Sequence, residues 1–110
     1  MDNSLEGLMV VNTRPAHQAE SLGNLIRQAG GAQVEFPVIE IAPLEDPHVL
    51  DEQIKKIHEV DIVIFISVNA VDAAMTISNS FTRWPENVLI ASVGQATALK
   101  LDYYGLTASI

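Results

Sequence analysis

Short runs of consecutive apolar residues alternate along this chain with stretches whose apolar positions recur every three or four residues. The first run, residues 7–12, is closed by Thr13-Arg14-Pro15 and reads as a buried strand. Pro15 suits the first turn of a helix, where a missing N–H costs little. Ala19, Leu22, Leu25, Ile26 and Ala29 then mark one apolar helical face over residues 16–29. Gly30-Gly31 supplies the stop.

Residues 33–41 alternate about Pro37, which cannot donate to a sheet ladder. An edge strand, or two short strands with a crossing between them, is expected there. Pro43, Asp46 and Pro47 mark a loop, and a helix follows over residues 48–58 with Leu50, Ile54 and Ile57 inward. Residues 61–66 form the strongest strand, apolar on both faces as a central parallel strand should be. Ser67-Val68-Asn69-Ala70 ends it and opens a helix running to about Ser78. Arg83-Trp84-Pro85-Glu86 is a return loop, and residues 88–93 are another buried strand. Gly94-Gln95-Ala96-Thr97 opens a helix to about Tyr104, Gly105 stops it, and residues 106–110 begin a further strand.

The order β-α-β-α-β-α-β-α-β gives the fold class α/β: alternating β-α units on a parallel sheet with helices on both faces. Composition agrees. Hydrophobic residues make up 48% and aromatics only 5%, so the core is built of Val, Ile, Leu and Ala, which suits helix-covered parallel strands. The net charge of −8 shows no basic footprint for nucleic acid and disfavours anionic membranes. No apolar run reaches membrane-spanning length, and the first residues lack a signal-peptide pattern, so a cytoplasmic protein is expected. With no cysteine, disulfides, thiolate metal sites and Cys nucleophiles are excluded.

Ligands of open α/β sheets bind beyond the carboxyl ends of the strands. Three such ends carry polar residues: Thr13-Arg14-Pro15, Ser67-Val68-Asn69-Ala70 and Gly94-Gln95-Ala96-Thr97. Each stands at a strand-to-helix turn, with backbone N–H groups and the positive end of a helix dipole, and Arg14 adds a planar fork for carboxylate. Together they make a carboxylate-binding rim on an acidic protein. Ser67 or Asn69 could equally be a helix cap and no more, Gly94 a turn residue, and Thr97 a hydroxyl bonded back within its own helix. His17, His48 and His58 lack ligand spacing, so no metal is expected. Asp46, Asp51 and Glu52 read as a solvated face with helix-dipole benefit. Of Tyr103 and Tyr104, one should pack inward and one outward. No nucleophile-base-acid relay can be assembled, and no catalytic residue is assigned.

Four segments in order resemble the uroporphyrinogen-III synthase family. They are Thr13-Arg14-Pro15 with Gln18-Ala19-Glu20 and Ala29-Gly30-Gly31; Pro37-Val38-Ile39-Glu40-Ile41 with Pro43-Leu44; Ile64-Phe65-Ile66-Ser67-Val68-Asn69-Ala70-Val71; and Val93-Gly94-Gln95-Ala96-Thr97-Ala98. The resemblance implies a lyase of tetrapyrrole and heme biosynthesis that closes hydroxymethylbilane to uroporphyrinogen III, inverting ring D through a spiro intermediate without metal or organic cofactor. It implies two α/β lobes with substrate between them: residues 1–36 start one, 37–43 link, and 44–110 form part of the second. Thr13, Arg14, Ser67, Asn69, Ala70, Gly94, Gln95 and Thr97 would then bind substrate. The first lobe would be completed by a C-terminal half beyond Ile110, with a tyrosine used in loss of the substrate hydroxyl. The 110-residue chain alone is accordingly expected to be weakly active or inactive and to self-associate, the full enzyme being a monomer. The competing expectation is a non-catalytic small α/β module for an anionic ligand or partner. A receiver-like domain ranks last, because Thr13-Arg14 stands where its acidic pocket should be.

Overall fold

The computed structural model describes residues 2–77 and 84–110. Its elements are β1 (Met9–Asn12), α1 (Ala16–Gln28), β2 (Ala32–Glu35), α2 (His48–Lys55) with a single 3-10 turn (Ile57–Glu59), β3 (Ile62–Phe65), α3 (Val68–Ile77), β4 (Leu89–Ser92) and α4 (Gln95–Tyr103). Alternating β-α units and parallel pairing are therefore present as the periodicity predicts. Ser78 and Arg83, placed above in a helix end and a return loop, lie outside the described residues.

The single sheet read from the alternation is corrected. In place of one sheet, the described residues form two two-stranded parallel sheets, β1-β2 and β3-β4. They fall in separate compact units, Met1–Ala42 and Pro43–Ile110. Each sheet has one covered and one uncovered face. Val63 and Phe65 of β3 turn toward the helices, whereas Ile62, Ile64 and Ile66 are exposed. In β1, Met9 and Val11 are likewise exposed. An all-apolar strand shows that both faces can be buried, not that both are.

In the first unit, α1 packs on β1 and β2 through Ala19, Gly23 and Ile26. Leu25, expected inward, is 62% exposed. At about 100° per residue, Leu25 points well away from the Ala19-Gly23-Ile26 line. The stop at Gly30 is as expected: Gly30 adopts φ +84, its N–H bonds Arg27 O, and Gly31 N–H bonds Ile26 O. That is a Schellman closure, which glycine enters without steric strain. Strand β2 ends before Pro37, which has no N–H to offer. Phe36 N–H still reaches Asn12 O, and Val38 N–H reaches Thr13 O, so the chain stays beside β1 without forming the longer strand expected over residues 33–41.

In the second unit, Phe65, Val71, Ile90 and Leu101 form the buried core, with Trp84 and Tyr104 packed against it. Trp84 lies 6.2 Å from the Phe65 ring and donates its indole N–H to Val88 O. Gly105, at φ +79, repeats the Schellman closure through Gly105 N–H to Asp102 O and Leu106 N–H to Leu101 O. The strand expected over residues 106–110 does not form. Ser109 and Ile110 N–H both converge on Ile90 O, and Ser92 N–H bonds Ile110 O. The tail thus lies along β4 without the evenly spaced bonds of a parallel ladder.

A polar brace ties α3 to α4. Tyr104 donates its O–H to Asp72 Oδ1 at 2.8 Å, and Lys100 Nζ stands 3.3 Å from the same oxygen. The bond to Asp72, with desolvation and the carboxylate's charge behind it, raises the Tyr104 pKa above its ordinary 10.0. The folded state therefore keeps a proton that the unfolded state releases just above pH 10, so stability falls as pH rises through that window. Tyr104→Phe should flatten this alkaline loss, measured as urea midpoints between pH 8 and 11. An identical alkaline slope in the variant would show that the brace is not its source.

Candidate functional site

Parallel pairing brings two of the expected turns to the same end of one sheet. Phe65 and Ser92 are paired across β3 and β4, so Ser67 and Gly94 each follow two residues beyond the last rung. Val93 N–H to Phe65 O closes that end. The two turns then differ in chemistry. Ser67 Oγ accepts the N–H of Ala70 at 3.0 Å, a side-chain N-cap at the third position of α3. Ala70, expected as a backbone donor, is thereby occupied, which corrects the expectation that every turn presents open N–H groups. Asn69 is half-buried.

The opening of α4 is different. Gly94 sits at φ 83 and ψ 155, and no side chain caps the helix. The N–H groups of Gln95, Ala96 and Thr97 follow directly, as the orphan donors of a helix start. Gln95 is exposed, whereas the Thr97 side chain is 4% exposed and packs inward. Thr97 can thus meet a ligand through its N–H and not through its hydroxyl. Glycine is required at position 94 by the backbone, because that φ/ψ region is essentially closed to other residues.

Thr13 and Arg14 belong to the first unit, at the carboxyl end of β1. Both are exposed. The guanidinium of Arg14 pairs with no carboxylate among the described residues. Their support is Asn12, the last residue of β1. Asn12 is 1% exposed. Its Nδ2 donates to Ala19 O at 2.9 Å and to Gln33 Oε1 at 3.0 Å, and its Oδ1 accepts Arg14 N–H at 3.3 Å. All polar atoms of this buried amide are satisfied, as burial demands. A polar residue closing an apolar strand was the available signal.

Beside this turn is a cavity of about 510 Å³. Pro15, Ala16 and His17 at the start of α1 form one side, and residues 37–41 form the other. Those extended residues are expected to form an edge strand or a linking strand. Helix α1, like α4, begins without a side-chain cap.

Several acidic groups outside these turns have structural partners. Asp46 Oδ1 accepts His48 N–H at the start of α2. Asp51 and Glu52 flank Lys55 at 3.1 and 3.5 Å, and the hydrogen bond that Lys55 donates to Asp51 leads the effects that raise the Lys55 pKa. No group of three or more His, Cys, Asp or Glu side chains able to hold a metal occurs among the described residues. No described helix is long and apolar enough to cross a membrane.

The family profile described as "Uroporphyrinogen-III synthase HemD" matches residues 20–110. Thr13 and Arg14 precede that match. A Synechococcus elongatus protein named uroporphyrinogen-III synthase is 35% identical over 106 residues, covering 94% of this chain and 40% of the relative. A Ruminiclostridium josui porphyrin biosynthesis protein HemD is 30% identical over 109 residues, 96% of this chain and 22% of the relative. The Escherichia coli uroporphyrinogen-III synthase is 28% identical over 95 residues, with 86% and 39% covered. The chain thus spans two fifths or less of the length of these three relatives.

Proposed function

The chain belongs to the uroporphyrinogen-III synthase family, and on that premise we propose that its turns recognise the carboxylates of hydroxymethylbilane during closure to uroporphyrinogen III. The observation that carries the reading is the opening of α4, where Gly94 leaves the N–H groups of Gln95, Ala96 and Thr97 without a side-chain cap. A helix start of this kind favours carboxylate through its N–H groups and its dipole together. In the first unit, Arg14 supplies a planar fork of the right shape. Ser67 and Asn69 stand at the same end of the β3-β4 sheet as the opening of α4, where Ser67 fixes the start of α3.

The chemistry asks little more of this segment. Loss of the substrate hydroxyl gives a reactive azafulvene cation, and the protein's tasks are to hold the pyrrole chain in a closing geometry and keep water away. Binding carboxylates through backbone N–H groups and Arg14 is a positioning role, and no residue of this chain is assigned to proton transfer. Because the relatives are longer, the activity is proposed for a protein of their length.

In such a protein, hydroxymethylbilane should be converted to the ring-D-inverted isomer. Arg14→Ala should raise KM about tenfold with kcat little changed, the pattern of a lost binding contact. Product analysis and steady-state kinetics check both points. Only the non-inverted isomer at wild-type Arg14, or an unchanged KM in the variant, would refute the assignment.

A further inference from the structure

We propose that Asn12 is a positioning residue: its buried amide sets the Arg14 turn from beneath, and Gln33 holds that amide in place. This rests on the role proposed above for Arg14 and goes beyond it by naming what orients the turn. Asn12 closes β1 with its side chain on the face covered by α1, where a strand ordinarily places an apolar group. Burying an amide there is costly unless every polar atom finds a partner, and here each does. Nδ2 is shared between the α1 backbone at Ala19 and Gln33 Oε1 of β2, which leaves Oδ1 for the Arg14 N–H. That last bond, which the Arg14 N–H donates to the side-chain oxygen two residues before it, fixes the turn together with the bond from Val38 N–H to Thr13 O.

Gln33 is held in its turn. Its Nε2 stands 3.4 Å from Glu35 Oε1, and its amide crosses α1 where residue 23 has no side chain. A Cβ at Gly23 would fall 2.6 Å from Gln33 Nε2. The gap in α1, the amide of β2 and the end of β1 therefore form one connected chain of contacts leading to Arg14. An apolar residue at position 12 would fill the volume but leave Ala19 O, Gln33 Oε1 and Arg14 N–H without these bonds. Arg14 would keep its charge and lose its aim.

The test uses the 110-residue chain and uroporphyrin III, a stable carboxylate-rich tetrapyrrole, titrated by absorbance at two ionic strengths. Wild type, Arg14→Ala, Asn12→Leu and the Asn12→Leu/Arg14→Ala double variant are compared, with Gln33→Met as a milder variant in case Asn12→Leu fails to fold. Asn12→Leu should weaken binding about tenfold, and Gln33→Met less. The double variant should be no weaker than Arg14→Ala alone, the non-additivity of residues acting through one contact. Asn12→Leu should also reduce the salt dependence of binding as Arg14→Ala does, which a general loss of stability would not. If Arg14→Ala weakens binding while folded Asn12→Leu and Gln33→Met bind as wild type does, the positioning role is overturned and the role of Arg14 stands. If wild type does not bind, or Arg14→Ala binds equally well, the Arg14 assignment fails and the positioning role fails with it.

Discussion

Leu101→Ala is expected to lower the stability of the second unit by about 2–5 kcal/mol, the range for removing a fully buried leucine side chain. Leu101 is 0% exposed and belongs to one buried cluster with Phe65, Val71 and Ile90. It also anchors the Schellman closure of α4 through its carbonyl, so the cavity would open where the helix ends. A small unit has little reserve against such a loss. Trp84, packed against the same core, is a built-in reporter. Urea titration followed by Trp84 fluorescence should show a midpoint shifted sharply downward, or no folded baseline at all. A wild-type midpoint would mean that Leu101 does not organise this core.

Gly94→Ala is the second large effect, and its origin is purely in the backbone. A Cβ at this position meets nothing within 4 Å, so no clash arises. The conformation, φ 83 and ψ 155, is nevertheless one that side chains scarcely enter, at about 1–3 kcal/mol. The variant must either bear that strain or let the turn relax. Relaxation re-aims the N–H groups of Gln95, Ala96 and Thr97. Stability should therefore fall by roughly that amount, and affinity for uroporphyrin III should fall with it. Thermal unfolding and titration measure the two separately. Wild-type values for both would remove the reason for glycine at the start of α4.

Much of this was legible in the residue pattern because the signals were local. Spacings of three and four located the helices to within a few residues, apolar runs located β1, β3 and β4, and Gly30 and Gly105 marked helix ends that the backbone confirms. Ser67 suits both a cap and a ligand residue, and the bond from Ala70 N–H shows the cap. What the pattern could not carry was long-range. Nothing in residues 61–66 tells which apolar face is covered, so Ile62, Ile64 and Ile66 were expected inside. Leu25 was assigned to the inner face because leucine is apolar, yet Gly23 takes that side, where the Gln33 amide passes. Asn12 depends on Gln33, twenty-one positions away in sequence, and no spacing rule connects the two. The extended residues 37–41 line a cavity beside β1, where Phe36 is tied to Asn12 and Val38 to Thr13, again contacts between distant positions.

The role proposed for the strand-end turns of this chain is to hold tetrapyrrole carboxylates. Its most direct test follows the backbone amide resonances of the 110-residue chain while uroporphyrin III is added. Saturable shifts at Arg14, Gln95, Ala96 and Thr97, weakening as ionic strength rises, are the predicted result. No saturable binding, or shifts confined to residues away from these turns, would contradict it.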